Sequence, residues 1–321
     1  MTDTRPTLYL SRLLPDAVMA LVRERFQLVH EPFDALPAPS ALHEGLCRAD
    51  AAIVTLGDCI DAETIQAAAR LKILANYAVG YNNIDLAAAR QRSLIVTNTP
   101  DVLTDATADL AWALLLATAR RIVEGDALVR SGCWTGWSPT QLLGAEVSGK
   151  TLGIIGMGRI GQAVAQRAVG FRMPVRYHTS QLMAAASLPH EWEYRSLQDI
   201  LGEADVVTIH VPLTPATHHL IGARELAWMR PTALLINTAR GPIVDEGALA
   251  EALKTGIIAG AGLDVYEQEP TIHSALVQLK QVVLLPHLGS ATVHARVQMG
   301  LVCLRNIEAV LTGRLAPNQV T

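Results

Sequence analysis

Short apolar runs alternate along the chain with stretches that repeat apolar residues at helical spacing. The runs predict strands, because a strand buried on both faces of a parallel sheet is apolar throughout. The predicted strands are Thr7–Leu10, Ala51–Leu56, Lys72–Ala75, Leu94–Thr97, Val175–Tyr177, Asp205–Ile209, Ala233–Asn237, Ala259–Leu263 and Val282–Leu285. Helices are predicted from Pro15 to about Phe26, after Asp61 as the capping residue, and over residues 291–312 up to Gly313. This alternation is typical of doubly wound parallel α/β sheets.

Three segments depart from the simple alternation. Residues 31–41, rich in proline and alanine, are predicted to be a loop. A long helix is predicted to begin with Thr104 as its N-cap, and it is apolar nearly all round from Leu110 to Ala119. Such a helix is buried on several sides, between two domains or across a subunit interface. The segment Ser131–Gly144, which carries two tryptophans and a proline, is predicted to be irregular.

The stretch from Thr151 to Gly161 has the strongest chemical signal in the chain. It reads as a buried strand, a glycine turn and the start of a helix, with Gly156, Gly158 and Gly161 at G-x-G-x-x-G spacing. The first glycine allows the turn, the second lets a pyrophosphate approach the backbone, and the third lets the helix pack closely. The alternative is that the glycines only punctuate loops. The apolar run before them and the helical pattern after them favour dinucleotide binding.

Composition and charge bound the remaining possibilities. Of 321 residues, 50% are hydrophobic and 17% are charged, which is enough apolar mass for one large or two medium domains. A net charge of −4 without a basic cluster argues against a nucleic-acid surface. The chain starts without a signal-like segment and contains no apolar run long enough to span a membrane. No C-x-x-C pair is present, so we expect no metal site and reduced thiols in a cytoplasmic enzyme.

Four polar residues of interest follow predicted strands. They are Arg240, Asp264, Glu269 and His287. Ligands of doubly wound sheets bind outside the carboxyl ends of the strands, so these positions suit a binding or catalytic site. The structural alternatives are a capping or surface arginine, helix-initiating acids near a proline, and a buried structural histidine.

At these residues the sequence resembles the D-isomer-specific 2-hydroxyacid dehydrogenase family, and most closely its glyoxylate/hydroxypyruvate reductase branch. The matching motifs are Ala78–Asp85, the glycine fingerprint, Asn237–Gly241, Leu263–Pro270 and Leu285–Thr292. The resemblance implies an NAD(P)-dependent oxidoreductase with two Rossmann-like doubly wound parallel-sheet domains. Residues 1–100 with 288–321 would form the substrate domain, and residues 101–287 the dinucleotide-binding domain. It also implies a homodimer, with the region 101–145 at the contact.

The resemblance implies roles for three residues in the reduction of a small 2-keto acid such as glyoxylate or hydroxypyruvate. Arg240 would grip the substrate carboxylate and carbonyl oxygen with its planar fork of donors. His287 would be the general acid that protonates the carbonyl oxygen as hydride reaches carbon 2. Glu269 would hydrogen-bond the other imidazole nitrogen, and Glu267 is the alternative partner. The family motif favours Glu269, because it places the carboxylate directly before the proline.

Further residues are expected to contact cofactor or substrate by the same resemblance. The expected cofactor contacts are Thr104, Gly156, Gly158, Arg159, Ile160, Gly161, His178, Thr179, Ser180, Pro212, Thr217, Thr238, Ala239, Arg240, Asp264, His287 and Gly289. Val79 and Gly80 would offer backbone N–H groups to the substrate carboxylate, beside Arg240 and His287. Trp137 would reach the pocket of the neighbouring subunit, although Trp134 lies close by and either ring could belong to a core.

The end of the strand after the fingerprint bears on the choice of cofactor. NAD enzymes place an acid there to bind the ribose 2′-hydroxyl, whereas this chain has His178. Without a carboxylate to repel a 2′-phosphate, Thr179 and Ser180 could donate hydrogen bonds to it, and Arg176 or His178 could add charge. NADPH-using relatives often carry Asn-Arg where this chain has Thr179 and Ser180, so that arginine is missing. NADP(H) is therefore favoured, and NAD(H) is possible.

Other functions stay open at this point. One alternative function is that of a 2-ketogluconate reductase, and another is that of a phosphite dehydrogenase-like enzyme, because both kinds of enzyme resemble this motif set. A dinucleotide-sensing, corepressor-like binding protein is the alternative from another class, because such a protein binds the cofactor without turnover. Neither a nucleic-acid surface nor a membrane partner is expected.

Overall fold

The computed structural model describes residues 5–180 and 188–321 of the chain. The chain divides into two compact units, Met1–Leu103 together with Ser290–Thr321, and Thr104–Gly289. The first boundary between the units lies after Leu103, whereas the sequence-based boundary lies after residue 100. The second boundary lies after Gly289, whereas the sequence-based boundary lies after residue 287.

The first unit is built on a five-stranded sheet whose order is β2-β1-β3-β4-β5, with every neighbouring pair parallel. Its strands are β1 (Thr7–Leu10), β2 (Gln27–Leu28), β3 (Ala51–Val54), β4 (Ile73–Asn76) and β5 (Ile95–Thr97). Its helices are α1 (Asp16–Arg25), α2 (Pro39–Arg48), α3 (Ala62–Ala67), α4 (Leu86–Gln91) and, from the C-terminal part, α12 (Val293–Leu311). The strand order reverses between β1 and β3, as it does in doubly wound sheets.

The second unit carries a seven-stranded parallel sheet of order β12-β11-β10-β9-β6-β7-β8. Its strands are β6 (Leu152–Ile155), β7 (Val175–His178), β8 (Glu193–Tyr194), β9 (Val206–Ile209), β10 (Leu234–Asn237), β11 (Gly260–Leu263) and β12 (Val282–Leu284). Its helices are α5 (Thr104–Ala119), α6 (Ile122–Arg130), α7 (Arg159–Ala168), α8 (Leu197–Glu203), α9 (Ala223–Leu226), α10 (Glu246–Lys254) and α11 (Ser274–Val277). The two parallel sheets confirm the predicted fold class.

Helix α5 is buried on several sides, as its apolar sequence predicts. It packs inside the second unit against α7, β10 and β11. The indole of Trp112 donates a hydrogen bond to the carbonyl of Val164 at 3.1 Å and stacks on Phe171 with 4.6 Å between ring centroids. In the part of the chain that the structure describes, no helix combines the length and apolar character needed to cross a membrane.

Two sequence-based boundaries are wrong. Residues 31–41 are not all loop, because α2 begins at Pro39. Proline suits the first helical turn, where its missing N–H would have no partner, so a proline-rich stretch can start a helix. Thr104 is the first residue of α5 rather than its N-cap. The cap at Asp61 is confirmed, since its carboxylate accepts the N–H of Thr64 at 2.8 Å.

Candidate active site

The glycine fingerprint joins β6 to α7, and its three glycines differ in what a β-carbon at each position would meet. Gly156 has φ +99°, and a β-carbon there would lie 2.6 Å from the carbonyl carbon of His210. A β-carbon at Gly161 would lie 2.1 Å from the carbonyl oxygen of Gly156, so the helix packs directly on the turn. At Gly158 a β-carbon would meet no atom of the described chain within 4 Å. The backbone at Gly158 is therefore open to a ligand.

The surroundings of this turn fit a dinucleotide. Helix α7 has Gly158 at its N-cap and no side-chain cap, so its first N–H groups and its positive dipole end can receive a phosphate. The hydroxyl of Thr238, after β10, is buried and has no hydrogen-bond partner among the described residues. A buried hydroxyl without a partner is destabilising, and a bound polar group would satisfy it.

The end of β7 differs from the sequence-based expectation at one residue. His178 Nδ1 lies 3.1 Å from the carbonyl oxygen of Arg195, so this nitrogen donates to the backbone. Arg176 was expected as a possible source of charge for a 2′-phosphate, but its guanidinium is paired with two carboxylates. Its Nη1 lies 2.8 Å from Glu193, and its Nε lies 3.7 Å from Glu203. The charge of Arg176 is thus largely neutralised within the protein.

Arg240 lies in the loop after β10, and Asn237, the last residue of that strand, holds this loop in place. The Asn237 side chain donates to the carbonyl of Arg240 at 3.0 Å and accepts the N–H of Ala239 at 3.0 Å. Burial lowers the pKa of Arg240, and the charge of Glu269 opposes this shift. Since the ordinary pKa of arginine is very high, the guanidinium remains a cation in a half-buried position.

His287 and Glu269 are hydrogen-bonded to each other at the carboxyl edge of the same sheet. His287 Nδ1 lies 2.8 Å from Glu269 Oε2, and the two side chains are 22% and 30% exposed. This is the pairing that the family resemblance implies. The imidazole is therefore oriented by a carboxylate through one nitrogen, and both groups are within reach of a small molecule.

Asp264 holds the segment that carries His287. Its carbonyl accepts the N–H of His287 at 2.9 Å, and its carboxylate accepts the N–H groups of Leu288 at 2.6 Å and Gly289 at 2.8 Å. His287 has φ +56°, in the left-handed region that is unfavourable for most side chains. Three hydrogen bonds to Asp264 stabilise this conformation, and the conformation aims the imidazole at Glu269.

The two carboxylates of this site have opposite pKa shifts. Burial raises the pKa of Asp264, although the N–H groups of Leu288 and Gly289 and the charge of His287 oppose the shift. Burial would also raise the pKa of Glu269, but the hydrogen bond and the charge of His287 outweigh it, so that pKa is lowered. Glu269 is thus held ionised beside the imidazole.

Glu267, the alternative partner of the histidine, points elsewhere. Its carboxylate accepts the N–H of Glu246 at 2.7 Å and lies 3.1 Å from His219 Nε2. Neither His219 nor Glu246 was expected at the site from the sequence.

Val79 and Gly80 follow β4 in the first unit. Their carbonyl groups accept the side-chain amides of Asn98 and Asn76, each at 2.8 Å. The N–H groups of Val79 and Gly80 have no acceptor within residues 5–180 and 188–321. Two backbone N–H groups that are held in place in this way and have no acceptor are suited to bind an anion.

Comparisons with known proteins show the family of this chain. The profile for the D-isomer specific 2-hydroxyacid dehydrogenase, NAD binding domain, matches residues 112–289. The chain belongs to the D-isomer-specific 2-hydroxyacid dehydrogenase family. It is 47% identical over 320 residues to a glyoxylate reductase of Thermococcus gammatolerans, covering 98% of this chain and 96% of that protein.

Two solved structures extend the comparison. The TT0316 protein from Thermus thermophilus superposes with a TM-score of 0.92 at 45% identity, covering 98% of this chain and 100% of that one. A NADPH-dependent glyoxylate/hydroxypyruvate reductase from Sinorhizobium meliloti, solved with NADP and malonate, has a TM-score of 0.87 at 33% identity, covering 99% of this chain and 97% of that one. The family membership shows that this dehydrogenase uses a nicotinamide dinucleotide.

Thr217, Thr104 and Trp137 are three further predicted contacts of this dehydrogenase. Thr217, in the loop after β9, donates its hydroxyl to the carbonyl of Pro212 at 2.7 Å. Thr104 begins α5, and the hydroxyl of Thr107 one turn later donates to the carbonyl of Gly289 at 3.1 Å. Trp137 is 82% exposed and Trp134 is 51% exposed, so neither ring is a core residue within one chain.

Proposed function

We propose that this dehydrogenase reduces a small 2-keto acid, glyoxylate or hydroxypyruvate, to the 2-hydroxy acid with NAD(P)H. The observation that carries the proposal is the His287–Glu269 hydrogen bond at 2.8 Å. It lies at the carboxyl ends of adjacent strands that also present Arg240, in the unit that contains the glycine fingerprint. The similarity to a glyoxylate reductase and to a glyoxylate/hydroxypyruvate reductase supports this choice of substrate.

The proposed chemistry divides between two residues. Arg240 binds the carboxylate and the carbonyl oxygen of the keto acid with its guanidinium fork. The bound nicotinamide supplies the hydride. Because Nδ1 of His287 faces Glu269, Nε2 is the nitrogen that carries the transferable proton. The imidazolium gives this proton to the carbonyl oxygen, becomes neutral, and keeps its Nδ1–H bond to Glu269.

We also propose that the N–H groups of Val79 and Gly80 bind the substrate carboxylate. The support is twofold: asparagine side chains hold both carbonyl groups in place, and the two N–H groups have no acceptor in the described chain. Backbone donors of this kind suit carboxylates.

The reaction is tested by its stoichiometry. Purified protein is incubated with NADPH and glyoxylate, and glycolate is quantified by chromatography. We expect one glycolate for each NADPH consumed. If NADPH is consumed without the formation of glycolate, the proposed reduction of glyoxylate is wrong.

We propose that NADP(H) is preferred over NAD(H). The described end of β7 offers no carboxylate to a 2′-phosphate, and Thr179 and Ser180 follow His178 directly. We expect kcat/KM for NADPH to exceed that for NADH by about tenfold, the contribution of one hydrogen bond to a charged group. Replacing Thr179 by aspartate is expected to reverse this preference, because the carboxylate repels the phosphate. Equal constants for both cofactors in the wild type would contradict this proposal.

We infer that the protein is a homodimer whose interface includes α6 and the segment after it. None of the residues of α6 is buried within one chain. Large apolar side chains are exposed along this stretch, namely Ile122, Val123, Val129, Trp134, Trp137 and Leu143. Large apolar side chains exposed in this number along one stretch of chain are typical of a protein interface. Trp137, the most exposed of them, would then contact the substrate site of the neighbouring subunit.

The dimer is tested by sedimentation. The wild type is expected at twice the chain mass of 34.4 kDa. Val129→Asp is expected to sediment as a monomer, because a carboxylate in an apolar interface is left without a partner. Leu315→Asp, at a position that is 89% exposed outside this surface, is the control and should leave the mass unchanged. A monomeric wild type would overturn the inference.

We propose a cytoplasmic location, in keeping with the state of the cysteines. All four are free thiols, and Cys303 is buried. Burial raises the pKa of the Cys303 thiol, which makes it unreactive. Disulfides persist in oxidising compartments, so four unpaired thiols are typical of a reducing one.

A further inference from the structure

Glu267 lies two residues before Glu269, yet it connects to a different part of the molecule. Its Oε1 accepts the N–H of Glu246 at 2.7 Å, at the start of α10. Its Oε2 lies 3.1 Å from His219 Nε2, so the imidazole donates to it. The carboxylate of Glu267 therefore connects the loop after β11 to the start of α10 and to the loop after β9.

The side chain of Glu246 in turn binds the backbone of Glu267. Its Oε1 accepts the N–H of Glu267 at 2.9 Å, and its Oε2 accepts the N–H of His273 at 3.3 Å. Glu246 is only 6% exposed. Each of these two buried or half-buried carboxylates thus holds the backbone of the other's segment, and removal of either would leave a buried N–H without a partner.

His219 connects the third loop. Its N–H donates to the carbonyl of Pro242 at 2.8 Å, its ring packs against His218 with 4.1 Å between centroids, and its Nδ1 lies 4.0 Å from Asp245 Oδ2. His219, in the loop between β9 and α9, therefore fixes that loop to the loop that follows Arg240.

The loops after β10 and β11 also touch through their backbones. A β-carbon at Gly241 would lie 1.8 Å from the carbonyl carbon of Tyr266 and 2.4 Å from the backbone nitrogen of Glu267. The residue after Arg240 thus lies directly on the segment that leads to Glu269. A change in the position of Glu267 would therefore affect the segments that carry both functional side chains.

We propose that Glu267 is a positioning residue for the reaction. Its carboxylate keeps the loops that carry Arg240 and Glu269 in one arrangement, and His219 is its partner in this role. The inference rests on the proposed function, because it concerns the geometry of that same site. It predicts that loss of the carboxylate lowers turnover even though Glu267 does not contact the substrate.

The test is Glu267→Gln, which keeps the size of the side chain but removes the charge and one of the two acceptors. With hydroxypyruvate and NADPH, at a temperature where the variant is folded, we expect kcat/KM to fall by roughly ten- to hundredfold, as a small misplacement of catalytic groups does. KM for the keto acid should rise and kcat should fall, while Glu251→Gln, on the exposed face of α10, should leave both unchanged. A purely structural role would lower Tm and leave kcat and KM of the folded protein unchanged, which would overturn the proposal.

His219 provides a second set of variants that does not depend on the folding of Glu267→Gln. His219→Leu should lower kcat/KM, and His219→Gln should restore most of it, because its amide can donate to Glu267. The losses of His219→Leu and Glu267→Gln should not multiply in the double variant if they act through one contact. Multiplying losses, or no rescue by glutamine, would contradict the proposal.

Hydrogen exchange separates this proposal from the proposed function. In Glu267→Gln the backbone amides of Glu246 and Glu267 should exchange faster than in the wild type, whatever the substrate is. If the wild type reduces no keto acid, the proposed function fails, and unchanged amide exchange in the variant would overturn the positioning role independently.

Discussion

Replacing His287 by alanine is expected to lower kcat for keto-acid reduction by about a thousandfold, within the range of general acid catalysis. The imidazole is the proposed proton donor, and Glu269 fixes its orientation. A water molecule in its place would not be held in that orientation and would donate a proton less effectively. The affinity for NADPH should change little, because the fingerprint turn and α7 do not depend on this side chain. Steady-state kinetics and fluorescence titration of NADPH measure the two quantities.

The control for this variant is His190→Ala, at a histidine that is fully exposed in the same unit. It should retain wild-type kinetics. Loss of NADPH binding in His287→Ala together with normal turnover of the bound fraction would remove His287 from the proposed chemistry.

Replacing Arg240 by lysine is expected to have the second largest effect. Lysine keeps the charge but loses the planar fork that binds a carboxylate and a carbonyl oxygen together. KM for glyoxylate should rise by about tenfold or more, as expected for the loss of one hydrogen bond to a charged group, with little change in the affinity for NADPH. Substrate titrations at saturating NADPH measure this effect.

Arg224→Lys is the matched control, because Arg224 is 77% exposed and is paired with Glu225. Its KM should equal that of the wild type. A wild-type KM for glyoxylate in Arg240→Lys would place Arg240 outside the substrate site.

Most strands of both sheets could be predicted, because a strand that is buried on both faces has an unbroken run of apolar residues. β3, β10 and β11 are buried throughout, and the predicted runs contain them within a few residues. β2 and β8 were missed. Each has only two residues, and each is defined by backbone pairing at a sheet edge rather than by side-chain pattern.

Part of the candidate site was accessible from sequence for a similar reason. Arg240 and His287 follow apolar strands, and the carboxyl ends of neighbouring parallel strands meet at one edge of the sheet. The choice of Glu269 over Glu267 needed a family motif, because both carboxylates lie in the same short loop. Their roles in catalysis stay predictions.

The partners of Glu267 could not be predicted. His219 and Glu246 are distant from it along the chain, and their contacts depend on how three loops fold back over the sheet edge. Neither residue lies in a spacing pattern, and a histidine or a first-turn glutamate carries no signal by itself. The ion pairs of Arg176 could not be predicted for the same reason, because their carboxylates, those of Glu193 and Glu203, belong to later segments of the chain.

The central claim, that this dehydrogenase turns over small 2-keto acids, is tested most directly by initial rates of NADPH oxidation. Glyoxylate, hydroxypyruvate, pyruvate and 2-ketogluconate are compared at equal concentration with purified wild-type protein. The account predicts saturable, fast oxidation with glyoxylate or hydroxypyruvate and slower oxidation with 2-ketogluconate. Tight NADPH binding that no keto acid converts into oxidation would contradict the account and favour a dinucleotide sensor.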